Sequence, residues 1–177
     1  MVSISIDDFA QDRPWPNSIK GFEASDWQIK DLIDGVVLGS LPVRSDERGE
    51  LSELLTTRDG PMEPMVHIYQ VTAAPRSVRA WVLHKWQTDR LAFTSGDFRV
   101  VLFDLRPDSR TKGQLNIIDA GSAKRCLLKI PPLVVHGVEN RGDSEASFIN
   151  MPTRVYDPGN PDKWRLPLDH PGIPYRF

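Results

Sequence analysis

A single cysteine, Cys126, stands in 177 residues, so no disulfide can form within the chain. Its setting, Lys124-Arg125-Cys126-Leu127-Leu128-Lys129-Ile130, reads as a strand, and a buried structural thiol is expected there. Nowhere is there a run of ~18 apolar residues, which excludes a membrane-spanning helix. The first 25 residues hold Asp7, Asp8, Asp12 and Glu23 and no long apolar stretch, so no secretory signal is read and a cytoplasmic location is expected. An excess of positive charge is also missing: 22 Lys and Arg face 24 Asp and Glu, which argues against nucleic acid as the main partner. There is no internal repeat, heptad or low-complexity block, so solenoids and coiled coils are excluded.

What is abundant is turn chemistry, with 12 glycines and 15 prolines. Short β-branched and aromatic runs alternate with turn signals such as Ser95-Gly96-Asp97, Ala120-Gly121-Ser122 and Arg141-Gly142-Asp143. Ten strands are predicted, over 36–41, 49–56, 65–72, 77–84, 90–94, 98–106, 114–119, 123–130, 134–140 and 146–151. This spacing points to an all-β jelly roll or β-sandwich. Residues 1–35 form an N-terminal extension. It carries one short helix, capped by Ser25 with Gln28 closing a capping box, apolar at Ile29, Leu32 and Ile33, and ended by Gly35. Trp15 and Trp27 in this extension are suited to cover a barrel edge or a partner subunit. Residues 36–177 form the main domain. Its last 26 residues contain six prolines and read as an irregular tail packed on the barrel.

Four histidines are the first candidates for chemistry: His67, His84, His136 and His170. His84 ends the apolar strand Val78-Arg79-Ala80-Trp81-Val82-Leu83-His84, and His136 follows the Pro131-Pro132 turn in Val134-Val135-His136-Gly137. A proline turn feeding a strand that carries His, with Asn140 four residues on, resembles the second conserved motif of cupin barrels. A metal-binding cupin offers His-x-His in its first motif and a Glu a few residues later. Here Trp86 takes the second His position, and Asp89 or Arg90 stands where the Glu would come. Two imidazoles fall short of the three protein ligands a stable Zn, Fe or Mn site wants, so no metal and no cofactor are expected. Trp86 shares a strand face with His84 by alternation, where it could stack on a sugar or fill the core. The string Arg44-Ser45-Asp46-Glu47-Arg48-Gly49-Glu50 reads either as a solvated hairpin or as an Arg placed to fork onto a phosphate.

Order along the chain adds to these pieces. Asp46-x-Arg48-Gly49-x-Leu51-x-Glu53 is followed by Gln70, then Leu83-His84, then Arg90-Leu91. Gly96-Asp97 and Val101-x-x-Asp104-Leu105-Arg106 come next. Ile130-Pro131, His136-Gly137, Tyr156-Asp157-Pro158, Trp164 and a closing Asp169-His170-Pro171-Gly172-Ile173 complete the series. Over residues 36–177 this colinear series resembles the dTDP-4-dehydrorhamnose 3,5-epimerase family.

The resemblance implies a metal-free jelly-roll cupin that works as a homodimer. Its reaction would be epimerisation of a nucleotide-linked 4-keto sugar at C3, C5 or both, in deoxysugar or polysaccharide precursor synthesis. Such chemistry needs a base beside the ketone, a cation for the enolate oxygen, and an acid on the opposite face. On the family's pattern His84 is the base, Asp169 the carboxylate that orients it, and Arg90 the enolate-stabilising cation. Arg48, Glu53 and Gln70 match nucleotide-contacting positions, while His136 and Tyr156 line the sugar and diphosphate. The implied partner is a nucleotide-diphospho-sugar, with no nucleic acid or membrane.

Two departures stand out. Asn150 occupies the position of the family's tyrosine acid, and an amide does not ionise near neutral pH. Trp81 replaces an arginine that binds diphosphate, with Arg79 and Lys85 nearby. Water, Tyr69 or Tyr156 could supply the acid, and the sequence does not choose among them. A related keto-sugar isomerase, a non-catalytic cupin that binds a nucleotide sugar or carbohydrate, and a metal-dependent cupin enzyme are the alternative readings.

Overall fold

The β-branched and aromatic runs become twelve short strands in the computed structural model, which describes residues 29, 31–56 and 63–177. They are β1 (Val37–Ser40), β2 (Val43–Asp46), β3 (Gly49–Ser52), β4 (Tyr69–Ala73), β5 (Val78–Leu83) and β6 (Asp89–Phe93). The series continues with β7 (Asp97–Asp104), β8 (Leu115–Gly121), β9 (Cys126–Ile130), β10 (Val134–Asn140), β11 (Ala146–Asn150) and β12 (Trp164–Arg165). Two five-stranded sheets form, ordered β1-β9-β6-β11-β4 and β12-β5-β10-β7-β8, with β2 and β3 as a separate hairpin. The pairings given by these strands are antiparallel throughout. All ten expected strands are present. β2 and β12 are additions, because strands of four and two residues carry too little periodicity to be read.

Alternation sends one face of each sheet inward. Leu91 and Phe93 of β6, Val100 and Leu102 of β7, Leu128 of β9 and Phe148 of β11 close the space between the sheets. Phe93, Phe98 and Phe148 stack there with ring centroids 5.0 to 5.7 Å apart, in the tilted and edge-on arrangements aromatic quadrupoles favour. Cys126 is fully buried, and burial pushes its thiol pKa up to about 12, as expected of a structural cysteine.

Ser25, Asp26 and Gln28 of the expected helix lie outside the described residues, as do Trp15 and Trp27. From Asp31 to Val36 the backbone makes a turn, not a helix. Ile33 is nonetheless sunk in the core, its amide held by Asn116 Oδ1 at 2.8 Å.

The Pro-rich tail crosses the outer face of the second sheet. Ile173, Tyr175 and Phe177 cover Trp81, Val101 and Val135, which alternation turns outward. Trp81 packs against Phe177 at 5.0 Å between ring centroids, and β12 pairs with β5 through Trp164↔Leu83 and Arg165↔Val82. Gly137 is dictated by this close packing: a Cβ there would lie 2.6 Å from Ala80 Cβ and 2.9 Å from the Phe177 ring. The tail therefore locks β5, which leads directly into His84, and β10, which carries His136.

Candidate active site

β5 delivers Leu83 to the sheet edge, and His84 follows it into the space between the sheets; β10 brings His136 beside it. The two imidazole centroids are 5.5 Å apart. Across from them, the first residue of β6 places Asp89 on the inward face with Leu91 and Phe93. Asp89 Oδ2 lies 3.2 Å from His84 Nε2 and 3.5 Å from His136 Nε2. Its other oxygen accepts from Gln87 Nε2 at 2.7 Å and from Asn150 Nδ2 at 3.2 Å. Burial alone would raise the Asp89 carboxyl, but hydrogen bonds from His136 and His84 hold it far below the usual carboxylate range. Asp89 is an anion at any working pH.

The opposite ring nitrogens are held by carbonyls. His84 Nδ1 meets the Asp162 backbone oxygen, and His136 Nδ1 lies 3.2 Å from the Val134 oxygen. A carbonyl only accepts, so each ring donates from Nδ1, and Nε2, turned toward the Asp89 carboxylate, donates to it when the ring is protonated. Burial lowers the His84 pKa, but the hydrogen bond and charge of Asp89, then the Asp162 carbonyl, more than offset it, and the net shift is upward.

Asp162 fastens this loop from the tail. Its carboxylate accepts the backbone N–H groups of Lys85, Trp86 and Gln87 at 2.8 to 2.9 Å while its carbonyl holds His84. Three converging amides favour the ionised carboxyl, whose pKa is lowered although burial opposes this.

A cavity of about 280 Å³ opens beside the cluster, lined by Tyr69, Val71, Ala80, His84, Leu91, His136, Phe148 and Asn150. This is the low end of small-molecule sites, enough for a compact polar ring. Arg79, Lys163 and Arg165 line it as well. Partial burial and the neighbouring Arg165 lower the Lys163 pKa, while Asp89 acts against the shift.

Of the residues singled out from sequence, His84, His136 and Asn150 meet here. Asp169 does not. It is exposed in the tail, and both His84 ring nitrogens already have partners in Asp162 and Asp89, so the carboxylate beside the histidine is Asp89. Arg90 is also elsewhere: it is buried on the face of β6 opposite Asp89, bonded to the carbonyls of Met151 at 2.6 Å, Glu63 at 3.2 Å and Pro64 at 3.3 Å. The cations at the cavity are Arg79, Lys163 and Arg165 instead. Gln70 alternates outward from Tyr69 and Val71, and Tyr156 is 54% exposed outside the lining. Glu53 is half-buried just after the hairpin, and Arg48, on that hairpin, is exposed and paired with Asp46; neither lines the cavity. Trp86 is 55% exposed and fills neither core nor cavity.

Counting histidines also underestimated the ligand supply. With Asp89 included, ligand atoms of His84, Asp89 and His136 all lie within 4.8 Å of one another, a geometry that could hold a metal ion.

A two-sheet jelly roll with a buried His-Asp-His cluster between its sheets defines a cupin-type barrel with its polar site in the lumen. No family model matches the chain. It is 34% identical over 146 residues to the spore coat polysaccharide biosynthesis protein SpsL of Bacillus subtilis, covering 82% of this chain and 97% of that protein. It is also 34% identical over 140 residues to a probable low-salt glycan biosynthesis epimerase, Agl13, of Haloferax volcanii, covering 77% and 89%. Among solved structures, a dTDP sugar isomerase from Desulfovibrio desulfuricans superposes with a TM-score of 0.75 at 31% identity, covering 81% of this chain and 90% of that one. The chain belongs to the dTDP-sugar epimerase and isomerase family, the one its colinear motifs resemble.

Proposed function

We propose that the protein is an epimerase of a nucleotide-linked 4-keto sugar, most simply a dTDP-sugar, at C3, C5 or both, serving polysaccharide or glycan precursor synthesis. The observation that carries this reading is the Asp89 carboxylate set against His84 Nε2 at the cavity wall. In its neutral form His84 holds its hydrogen on Nδ1, and the bare Nε2 takes the proton from the carbon beside the ketone. The C–H electrons become the enolate double bond, and the former carbonyl oxygen takes the negative charge. Asp89 steadies the imidazolium that results, which lowers the barrier in proportion to the charge formed. Lys163 is the cation in reach for the enolate oxygen, in the role expected of Arg90. Arg79 and Arg165 suit the diphosphate at the mouth, since guanidinium groups fork onto phosphate oxygens. A cavity of this size takes the sugar and leaves the nucleotide outside it. Apolar side chains left exposed at both edges of the first sheet, Val37 on β1 and Ile68 just before β4, support the homodimer.

Incubating the protein with dTDP-linked 4-keto sugars in deuterium oxide tests the reaction. Deuterium should enter beside the ketone, and His84→Ala should abolish it. If no substrate exchanges while ligands still raise the melting temperature, the protein is a binder. Exchange with net movement of the ketone, and no inversion, would make it a keto-sugar isomerase.

A second reading is favoured by one observation. Both Nε2 atoms and Asp89 Oδ2 converge while both Nδ1 atoms are bonded to carbonyls, the second-shell arrangement that metal-ligating histidines also adopt. Elemental analysis decides: a stoichiometric divalent metal lost in His136→Ala establishes a metal site, and its absence from active protein removes one.

A further inference from the structure

Epimerisation needs an acid on the far side of the sugar from the base, and the family's tyrosine position holds Asn150. The cross-strand register sets Asn150 of β11 directly opposite Tyr69 of β4. Asn150 is almost fully buried, and its Nδ2 donates both to Asp89 Oδ1, at 3.2 Å, and to Tyr69 Oη, at 2.8 Å. Because a carboxylate can only accept, Asp89 fixes which way the amide points. Tyr69 Oη is therefore the acceptor in its bond with Asn150, and its own hydrogen is left over. Among the described residues that hydrogen has no protein acceptor, and Asn150 Oδ1 is a buried acceptor without a donor. A free donor and a free acceptor, both on residues lining the cavity, mark a place prepared for a polar ligand group.

Resting on the epimerase reading above, we infer that Tyr69 is the catalytic acid that returns the proton on the face opposite His84, with Asn150 as its positioning residue and as the acceptor of a sugar hydroxyl. The phenol has in effect moved one strand across the sheet, from β11 to β4. His84 comes from the second sheet and Tyr69 from the first, so a ring between the sheets meets one with each face. The step balances. The enolate oxygen re-forms the carbonyl, the C=C electrons take the proton from Tyr69 Oη, and a phenolate remains. Solvent reprotonates it at the mouth, where Tyr69 is 38% exposed, and His84 gives its proton to solvent in turn. Burial, and then the Asp89 charge, raise the phenol pKa, so the acid enters each turnover protonated. Tyr156 lies outside the cavity lining.

Exchange and inversion are separable readouts. With a dTDP-linked 4-keto-6-deoxy sugar in deuterium oxide, followed by NMR, the wild type should both exchange and invert. Tyr69→Phe should keep exchange within a few-fold and lose inversion by about 100-fold, with an unchanged melting temperature. Wild-type inversion rates in Tyr69→Phe overturn the assignment while leaving the epimerase reading intact. A wild type that exchanges nothing overturns both. Asn150→Ala leaves the phenol in place but unheld, and should lower the ratio of inversion to exchange by about tenfold. An unchanged ratio in that variant overturns the positioning role.

Discussion

Among the described residues two aspartates are buried at strand ends, and their surroundings differ in kind. Asp104, at the end of β7, is fully enclosed. Arg106 reaches it through its backbone N–H at 3.0 Å, Nε at 2.9 Å and Nη2 at 2.8 Å, with the Ser109 and Thr111 hydroxyls at 2.6 and 2.7 Å. None of these donors changes charge near neutral pH, so the group is one fixed knot, and Arg106 extends it to the Asp34 carbonyl. Asp89, at the start of β6, has two amide donors and two histidines. Both carboxyls are driven toward ionisation, Asp104 by Arg106 and its hydroxyls against the effect of burial, Asp89 by the imidazoles against the same effect. Only Asp89 has partners that themselves gain and lose a proton, and only it faces a cavity. Burial and a lowered pKa do not separate structure from function; the chemistry of the donors does.

Asp89→Asn should show the largest effect. The amide is isosteric and keeps the packing, but the imidazolium loses its counter-charge, so kcat should fall by about 10²- to 10⁴-fold. Circular dichroism should still show folded protein. Asp104→Asn should do the reverse. Removing one partner of a buried ion pair leaves Arg106 uncompensated, at a cost of about 3–5 kcal/mol in urea unfolding, while kcat of the folded fraction stays near wild type. Equal stability losses in the two variants would erase the distinction between the sites.

The strand-forming runs, His84 just after β5 and His136 on β10 were legible in the sequence, because period-two alternation and turn residues encode sheets locally. The roles of Asp89 and Arg90 were legible in principle. Leu91 and Phe93 are apolar and inward, so alternation carries Asp89 inward and Arg90 outward. A family pattern favouring a cation at Arg90 obscured that parity. Asp162 and Lys163 gave no such signal: they lie in a tail between Pro161 and Pro167, where no periodicity fixes direction, and only tertiary packing brings them to His84. Motif order likewise could not tell that Asp104 is a structural knot.

The third expected effect is on pH. His84 must be neutral to act, and its pKa is raised, so kcat/KM should climb about tenfold per pH unit on an acid limb whose midpoint lies above the ordinary histidine value of ~6.5. Stability moves the other way. A raised folded pKa contributes stability that is complete below the unfolded value and lost as pH rises through the folded one. The melting-temperature gap between wild type and His84→Gln should therefore narrow from pH 6 to pH 9. The Asp104 knot, with a lowered pKa, contributes above ~3.9 and loses its share only as pH falls through its folded value. A gap between wild type and Asp104→Asn should stay flat over the same neutral range.

The smallest effect belongs to a third aspartate that repeats the Asp104 pattern in the open. Asp46-Glu47-Arg48 has the same spacing as Asp104-Leu105-Arg106. Arg48 likewise returns to its aspartate through the backbone N–H at 2.9 Å, Nε at 3.1 Å and Nη2 at 2.5 Å. Here the Arg48 side chain is 77% exposed, so water replaces whatever the pair provides and salt screens the rest. Asp46→Asn should leave the melting temperature unchanged within measurement error, where Asp104→Asn lowers it by many degrees. The three hydrogen bonds from arginine to aspartate match, while the burial and the Ser109 and Thr111 hydroxyls are particular to Asp104, so the contrast between the two variants measures what enclosure and those hydroxyls add. If Arg48→Ala raises KM for a dTDP-linked sugar without altering stability, the exposed copy of the motif serves the nucleotide, and its freedom from the core is what makes it available.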